Sequence, residues 1–320
     1  MTENYKPKSS NLKATSSHTP VLLHESIDGL ALKPGATVFE GTVGLGGHSR
    51  ALCEGIGKTG LFIGTDADAE SLAMAEERLK DLPCKKLFVC DNFRNIDVVL
   101  EKAGIEKVDA ILLDIGLSNR QLEVAPRGFS FMRDEPLLMT FRSEGDGLTA
   151  REIVNEWAEE SIADIIYGYG EERYARRIAK GIVEARKEKP IETTGQLVEI
   201  VKKSVPASRF SRINPATKTF QALRIAVNDE LGALREGLAK GFAHLAPDGR
   251  MAVISFHSLE DRIVKEFFRE RAKEGVAMLT TKKPIVPSET EVKENPKSRS
   301  AKLRILVKQL TTPMSKTRIS

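Results

Sequence analysis

The sequence predicts an α/β fold in which helices cover both faces of a mostly parallel sheet, with an all-helical segment inserted between two strands. Apolar runs of strand length alternate with helical patterns from Ala36 to Leu113, and this alternation is typical of parallel sheets. From Thr149 to about Val205 the patterns are helical only, and a strand pattern returns at Arg250. The late return of the strands favours an insertion within one domain over a second domain in tandem.

The elements before the insertion follow from apolar periodicity and from turn residues. Asp68 is a plausible N-cap for the helix after the second strand. The predicted elements are a helix ending at Leu30, the strand Ala36–Phe39, a helix through Leu52, the strand Gly60–Gly64, the helix Ala69–Leu79, the strand Lys86–Cys90, the helix Asp97–Ala103 and the strand Val108–Leu113.

Thr149, Ser161 and Thr194 are natural N-caps of the inserted helices. The helices expected there are Thr149–Glu160, Ser161–Tyr167, Glu171–Lys187 and Thr194–Lys203. After them the sequence predicts a helical stretch from Asn214 to Leu245, a turn at 247–249, the strand Arg250–Ile254, a loop over Thr280–Ser300 and the strand Lys302–Val307. The predicted division is a disordered tail at 1–17, a discontinuous α/β domain at 18–120 and 225–310, a helical insertion at 121–224 and a second tail at 311–320.

Composition excludes several classes of protein. No run approaches about eighteen uninterrupted apolar residues, so no membrane span is expected, and the polar N-terminus lacks the apolar segment of a secretory signal. The three cysteines are far from paired CxxC spacing: Cys53, Cys84 and Cys90. This pattern argues against a zinc site or a disulfide framework, and it favours a protein of the reducing cytoplasm. The net charge of +4 does not identify a partner by itself.

The segment Gly41–Gly47 after the first strand is rich in glycine, which lets backbone N–H groups approach a ligand closely. Asp66 follows the second strand, where an acid is expected to bind the hydroxyls of a ribose. A dinucleotide fingerprint built on Gly44 and Gly46 would need a third glycine at position 49, where this chain has Ser49. The spacing therefore favours S-adenosylmethionine as the cofactor, with NAD as the weaker choice.

Four side chains follow the ends of four separate strands: Glu40, Asp66, Phe93 and Asp114. Ligands of open α/β sheets bind at the carboxyl ends of the strands, so these side chains are expected to share one rim. Asp114 alone could equally be a strand-end turn, and Phe93 alone could equally be a core aromatic residue. Their common position favours a site.

Basic residues are concentrated in the insertion. From Glu171 to Arg224 there are 13 lysines and arginines against 6 acids, a cluster that could bind phosphates. The alternative is a solvated helix face with ion pairs along it. Aromatic residues available to stack on bases are Tyr167, Tyr169, Phe210 and Phe220.

Eight motifs together resemble one known family. They are Gly46-Gly-His48, Asp66, Asn92-Phe93, Asp114-x-Gly-x-Ser-x-x-Gln121, Arg127-Gly-Phe-Ser-Phe131, Tyr169-Gly-Glu-Glu-Arg173, the block Asn214–Arg224 and the block Ile254–Arg262. They resemble the MraW/RsmH family of S-adenosylmethionine-dependent methyltransferases, which modify N4 of a cytosine in the decoding site of small-subunit (16S) rRNA. The resemblance extends from His18 to about Val307 and implies a Rossmann-like, class I methyltransferase sheet.

The resemblance also implies the residues of the site. Cofactor contacts are expected at Gly46, Gly47, His48, Asp66, Phe93, Asp114 and Gln121. Ser118 and His257 are the candidate catalytic residues that would contact the target amine. His257 could instead be a structural histidine at a strand end, with its hydrogen bonds made within the protein. The implied partner is the small ribosomal subunit with its 16S rRNA, and a homodimer remains a possible oligomeric state. No metal is expected, because the sulfonium of the cofactor is itself the electrophile.

The chain departs from the family pattern at several positions. Leu138 and Thr140 stand where members usually carry an acid and a base, so the substrate could differ. Glu40 replaces an aspartate, Leu45 replaces a loop glycine, and Asn119-Arg120 replaces Ser-Pro. Three alternatives therefore stay open: an amino methyltransferase acting on DNA or a small molecule, a ribosome-binding factor that has lost catalysis and, weakest, an NAD oxidoreductase.

Overall fold

The computed structural model describes residues 20–118, 120–121, 126–142, 147–206 and 214–310. The predicted tails, Asn119 and Phe210 lie outside the described residues. Within them, no helix is both long and apolar enough to cross a membrane.

In the described part of the chain, seven strands form one sheet in the order β3-β2-β1-β4-β5-β7-β6. Strands β1 to β5 run parallel, and β7 runs antiparallel to both of its neighbours. The strands are β1 (Thr37–Glu40), β2 (Leu61–Asp66), β3 (Lys85–Cys90), β4 (Val108–Asp114), β5 (Leu245–Ser255), β6 (Ala277–Leu279) and β7 (Lys302–Lys308). The sheet contains one strand that the sequence pattern does not predict, the short β6, and β5 begins at Leu245 instead of Arg250, so the predicted turn at 247–249 lies within that strand.

Both faces of the central strands are buried because successive side chains point to opposite sides of a sheet. Val38 and Phe62 belong to one hydrophobic cluster, while their neighbours Phe39 and Ile63 belong to another on the opposite face. Because both faces are buried, the sequences of these strands are continuous apolar runs. The helices that precede the insertion are α1 (Leu23–Leu30), α2 (Gly47–Ile56), α3 (Ala69–Leu79) and α4 (Ile96–Lys102).

The inserted segment has a hydrophobic cluster of its own, which extends from Phe129 to Leu223. Its helices are α5 (Ala150–Glu156), α6 (Glu159–Gly170), α7 (Ala175–Glu188), α8 (Thr194–Ser204) and α9 (Thr217–Asn228). Because α9 continues past residue 224, the boundary expected there falls inside a helix. The division into domains stays a prediction.

Several predicted boundaries are wrong. The break between the first two inserted helices lies at Trp157 and Ala158, so Ala158 and not Ser161 is the N-cap. Thr149 is an N-cap as predicted and closes a capping box with Glu152. The next such cap is Thr193 and not Thr194, because the Thr193 side chain accepts the Gln196 N–H.

The remaining differences lie towards the C-terminus. The stretch expected from Asn214 to Leu245 is two helices, α9 and α10 (Glu230–His244), which break at Asp229 with φ 46°. After β5 comes α11 (Ser258–Lys273), which the sequence pattern did not assign. The expected loop at 280–300 contains α12 (Glu289–Glu294) and the 3₁₀ turn Pro296–Ser300.

Candidate cofactor site

The glycine-rich loop lies between β1 and α2 at the carboxyl edge of the sheet. Gly44 and Gly46 have φ values of 54° and 82°, a region that glycine adopts without strain. A Cβ on Gly47 would lie 2.5 Å from Cγ of Pro20. The close contact with Pro20 therefore leaves no room for a side chain at Gly47. Helix α2 begins at Gly47 with Gly46 as its N-cap, so its free N–H groups lie at the rim.

Asp66 connects the ends of two strands. Its Oδ2 accepts the N–H of Gly44 at 2.7 Å, and its Oδ1 accepts the N–H of Asp68 at 2.8 Å. Burial raises the pKa of Asp66 to about 6, against the lowering effect of these hydrogen bonds. Because each carboxylate oxygen has a second acceptor position, Asp66 can hold the loop and still accept hydrogen bonds from a ligand.

Glu40 is buried at the tip of β1, where Oγ of Ser49 donates a hydrogen bond to Oε2 of Glu40. Burial is the main reason that the pKa of Glu40 lies well above its ordinary value of 4.5, with the Ser49 hydrogen bond opposing the shift. Ser49, the residue that weakens the dinucleotide interpretation, therefore has a structural partner in the first strand.

His48 is buried, and burial lowers its pKa to about 4, so its imidazole is neutral at physiological pH. Nε2 lies 3.1 Å from the carbonyl oxygen of Val21. A carbonyl can only accept, so Nε2 carries the proton and Nδ1 carries a lone pair. Nδ1 lies 3.6 Å from Oδ2 of Asp114.

Asp114 ends β4, and its backbone N–H donates to Oγ1 of Thr42 at 2.8 Å. Among the described residues, its Oδ1 has no hydrogen-bond partner. Burial, together with the charge of Glu260, raises the pKa of Asp114 to about 7. The Asp114 side chain is 25% exposed, but its Oδ1 is buried. A buried carboxylate oxygen without a donor is costly, so this oxygen is suited to a cationic or hydrogen-bonding ligand.

One cavity lies over this edge of the sheet. It is lined by seven of the nine residues predicted for the site, namely Gly47, His48, Asp66, Phe93, Asp114, Ser118 and Gln121. Gly46 and His257 are not among the described residues that line it. A Cβ on Gly46 would instead lie 3.2 Å from Leu79 and 3.4 Å from Ala75, so Gly46 shapes the loop against α3.

Ser118 and Gln121 cap each other. The Ser118 N–H donates to Oε1 of Gln121 at 2.9 Å, and the Gln121 N–H donates to Oγ of Ser118 at 3.2 Å. This reciprocal pair is a capping box, and residues 120 and 121 are helical. Ser118 therefore has a structural role at the rim, and its hydroxyl proton stays available to a ligand.

His257 is the N-cap residue of α11, with its Nε2 3.0 Å from Oε1 of Glu260. Glu260 and its neighbour Glu230 are both buried. Arg224 binds Glu230 through two hydrogen bonds of 2.7 and 2.8 Å and supplies the positive charge of this cluster. Ligand atoms of Glu230, His257 and Glu260 lie within 4.8 Å of one another, but Arg224 occupies both oxygens of Glu230.

The insertion carries an exposed basic surface at the start of α7 and just before it. Arg173, Arg176 and Arg177 are exposed, and the Arg173 guanidinium lies 4.6 Å from the ring centroid of Tyr174. Of the aromatic residues expected to stack on bases, Tyr167 is exposed. The expectation for Phe220 is wrong because its ring is buried in the core of the insertion.

Comparison with known proteins identifies the family. A model of the MraW methylase family matches residues 15–309. The chain belongs to the MraW methylase family. The resemblance inferred from the motifs and the Rossmann-like, class I methyltransferase sheet are both confirmed. The roles of the individual site residues stay predictions.

Several curated relatives share the name ribosomal RNA small subunit methyltransferase H. The protein of Symbiobacterium thermophilum is 48% identical over 307 residues, which cover 91% of this chain and 96% of the relative. The protein of Clostridioides difficile is 43% identical over 307 residues, which cover 91% and 98%. A solved structure of a putative rRNA methylase from Clostridium thermocellum matches at a TM-score of 0.45 with 13% identity, over 91% of this chain and 100% of that one, which is too distant to carry an argument.

Sequence reasoning missed part of the cavity wall. The cavity is also lined by Phe141, Asn228 and Glu230. Asn228 and Glu230 lie on either side of the helix break at Asp229, where the sequence has neither glycine nor proline to indicate a break. Leu138 and Thr140 stand where family members carry an acid and a base, a difference that could change the substrate. Neither is among the described residues that line the cavity. Among the departures from the family pattern, Leu45 lines the cavity, and so does Phe141, the neighbour of Thr140.

Proposed function

We propose that this protein transfers a methyl group from S-adenosylmethionine to N4 of a cytosine in the decoding region of small-subunit (16S) rRNA. The observation that carries the proposal is the cavity at the carboxyl edge of a family-typical sheet, with Asp66 and Asp114 in its wall. The shared name of the curated relatives supports the choice of small-subunit rRNA as substrate.

The cofactor fits the polar groups of this cavity. Asp66 would accept the ribose hydroxyls, since both of its oxygens are held in place by backbone N–H groups. Phe93 would pack against the adenine, while the N–H groups of the glycine loop and Gln121 would bind the polar ends of the cofactor. Dinucleotide binding is disfavoured by Ser49, whose hydroxyl is committed to Glu40.

Asp114 would bind the ammonium of the methionine moiety. The carboxylate of Asp114 faces the unprotonated Nδ1 of His48 at 3.6 Å, so two acceptors lie side by side. An ammonium group has three donors and no acceptor, and it can satisfy the partnerless Oδ1 of Asp114 while offsetting its buried charge.

When bound, S-adenosylmethionine supplies an electrophilic methyl group on a sulfonium. The chain's own contribution is positional, because the exocyclic amine of cytosine is a poor nucleophile that gains most from alignment and from acceptors for its protons. Acceptors at this edge are Asp114, Ser118 and Glu230, which all line the cavity. Each oxygen of Glu230 accepts one hydrogen bond from Arg224 and keeps a second acceptor position. His257 lies outside the lining, so its proposed role is to cap α11 and to hold Glu260.

The exposed arginines of α7 would bind the phosphates of the RNA. Phosphate contacts supply sequence-independent affinity and orientation. The inserted helices would offer a large particle more contact surface than a free nucleotide needs, which supports the small subunit as the substrate.

The test compares substrates. Transfer of labelled methyl from S-adenosylmethionine is measured on unmodified small ribosomal subunits, on naked 16S rRNA, on single-stranded DNA and on free cytidine. We expect label in the ribosomal RNA. Label in DNA or cytidine but not in subunits would support a different amino methyltransferase, and cofactor binding without transfer to any of them would support a binding factor.

A further inference from the structure

Three phenylalanine rings line the cavity: Phe93, Phe141 and Phe256. Two of them also fill the core of the sheet. A Cβ on Gly41 would lie 2.6 Å from Cβ of Phe93, and a Cβ on Gly237 would lie 2.5 Å from its ring, so Phe93 is enclosed between two glycines. Phe256 covers Gly116 in the same way, at 3.2 Å.

Phe141 differs because it comes from the insertion. Its ring centroid lies 5.6 Å from that of Phe129, and the two planes are inclined by only 24°. Phe129 is buried in the core of the insertion, whereas Phe141 is half-buried and forms part of the cavity wall. Phe129 therefore supports one side of the ring, and Phe141 is at the same time part of the cavity wall.

The backbone of Phe141 is fixed on both sides. Its N–H donates to Oδ1 of Asn228 at 2.8 Å, and its carbonyl accepts from Nη1 of Arg127 at 2.9 Å. Nδ2 of Asn228 also donates to the carbonyl of Met139 at 2.7 Å. A ring held in place before binding loses little conformational entropy when a ligand arrives.

We propose that Phe141 is the stacking surface for the target base, a planar heteroaromatic ring brought into the cavity from single-stranded or unpaired RNA. The inference rests on the proposed function and adds to it the residue that positions the base. Aromatic side chains bind unstacked bases by stacking regardless of their sequence. Phe141 would therefore position the ring of the target base, and the polar groups around the cavity would determine which base is accepted.

The test uses Phe141→Leu, Phe141→Trp and the control Phe131→Leu. Phe131 belongs to the same insertion, its ring lies 5.4 Å from that of Phe220, and it is not among the described lining residues. We expect Phe141→Leu to lower kcat/KM for small subunits by about 10- to 100-fold, with affinity for S-adenosylmethionine unchanged within about twofold. Phe141→Trp and Phe131→Leu should stay close to wild type.

A second readout separates this inference from the proposed function. A short single-stranded RNA carrying pyrrolocytosine is titrated with protein in the presence of S-adenosylhomocysteine, because stacking quenches the fluorescent base. Quenching by the wild type that Phe141→Leu loses and Phe131→Leu keeps would support the stacking role, even if no methyl transfer occurred. No quenching by the wild type, or equal loss of activity in both leucine variants, would overturn it.

Discussion

Arg127 donates a hydrogen bond from Nη2 to Oδ1 of Asp68, at 3.3 Å, across 59 residues of chain. Asp68 is completely buried and also accepts from Ser71 and from Arg120. Because Asp68 precedes α3 of the α/β domain while both arginines lie beyond β4, this carboxylate joins the insertion to the sheet beside the cavity.

Removing Arg127 should destabilise the protein strongly. Truncating Arg127 removes one of the two arginines that face the buried Asp68, while Arg120 stays at 3.4 Å, so we expect a cost of about 2 to 3 kcal/mol, below that of a fully uncompensated buried charge. We expect Arg127→Ala to lose about this much in urea unfolding. The control Arg151→Ala removes an exposed pair with Glu192 and should cost less than about 1 kcal/mol. Equal losses in both variants would contradict a special role for Asp68.

Asp66→Ala should weaken cofactor binding. We expect S-adenosylhomocysteine to bind about 5- to 150-fold more weakly by calorimetry, since hydrogen bonds to a charged group and the anchor of the glycine loop are both lost. Asp109→Ala is the matched control, because Asp109 also accepts one backbone N–H, that of Thr37, but lies at the start of β4. Unchanged affinity in Asp66→Ala would remove Asp66 from the site.

Cofactor affinity should depend on pH through Asp114. The pKa of about 7 for this carboxyl means that it is largely protonated below neutrality, and a cationic ligand favours the ionised form. Affinity therefore approaches its full value about one unit above pH 7 and falls as the pH decreases, by about five- to tenfold between pH 7.5 and 6. Asp114→Asn should bind more weakly and lose most of this dependence. A wild-type profile that is flat over this range would contradict the assignment.

Charge reversal on α7 should weaken RNA binding. We expect Arg176→Glu with Arg177→Glu to lower affinity for small-subunit RNA and to reduce the slope of log affinity against log salt by about one to two. Lys58→Glu with Lys102→Glu, two exposed lysines of the α/β domain, provides the control for net charge. An unchanged slope in the α7 variant would mean that its basic face is only solvated.

The sequence was informative wherever the determinant was local. The strands around β1, β2 and β4 could be predicted because their double burial requires continuous apolar runs. The glycine loop could be recognised because close approach and positive φ both require glycine. Thr149 could be recognised as a cap because Glu152 completes its capping box three residues later.

Long-range partnerships could not be predicted in this way. Nothing near Asp68 in the sequence indicates Arg127, and nothing near Phe141 indicates Asn228, since each pair forms only after the insertion folds against the sheet. The break at Asp229 was missed because an aspartate, and not a glycine, adopts the left-handed conformation there. Short β6 was missed because three residues of an edge strand carry too little periodicity.

The most direct test of the proposed function is nucleoside analysis of rRNA from unmodified small subunits after incubation with protein and S-adenosylmethionine. The account predicts N4-methylcytidine at a single position in the decoding region, with transfer strongly reduced in Asp114→Ala. Methyl groups on another base or another atom, or equal transfer by the wild type and Asp114→Ala, would contradict it.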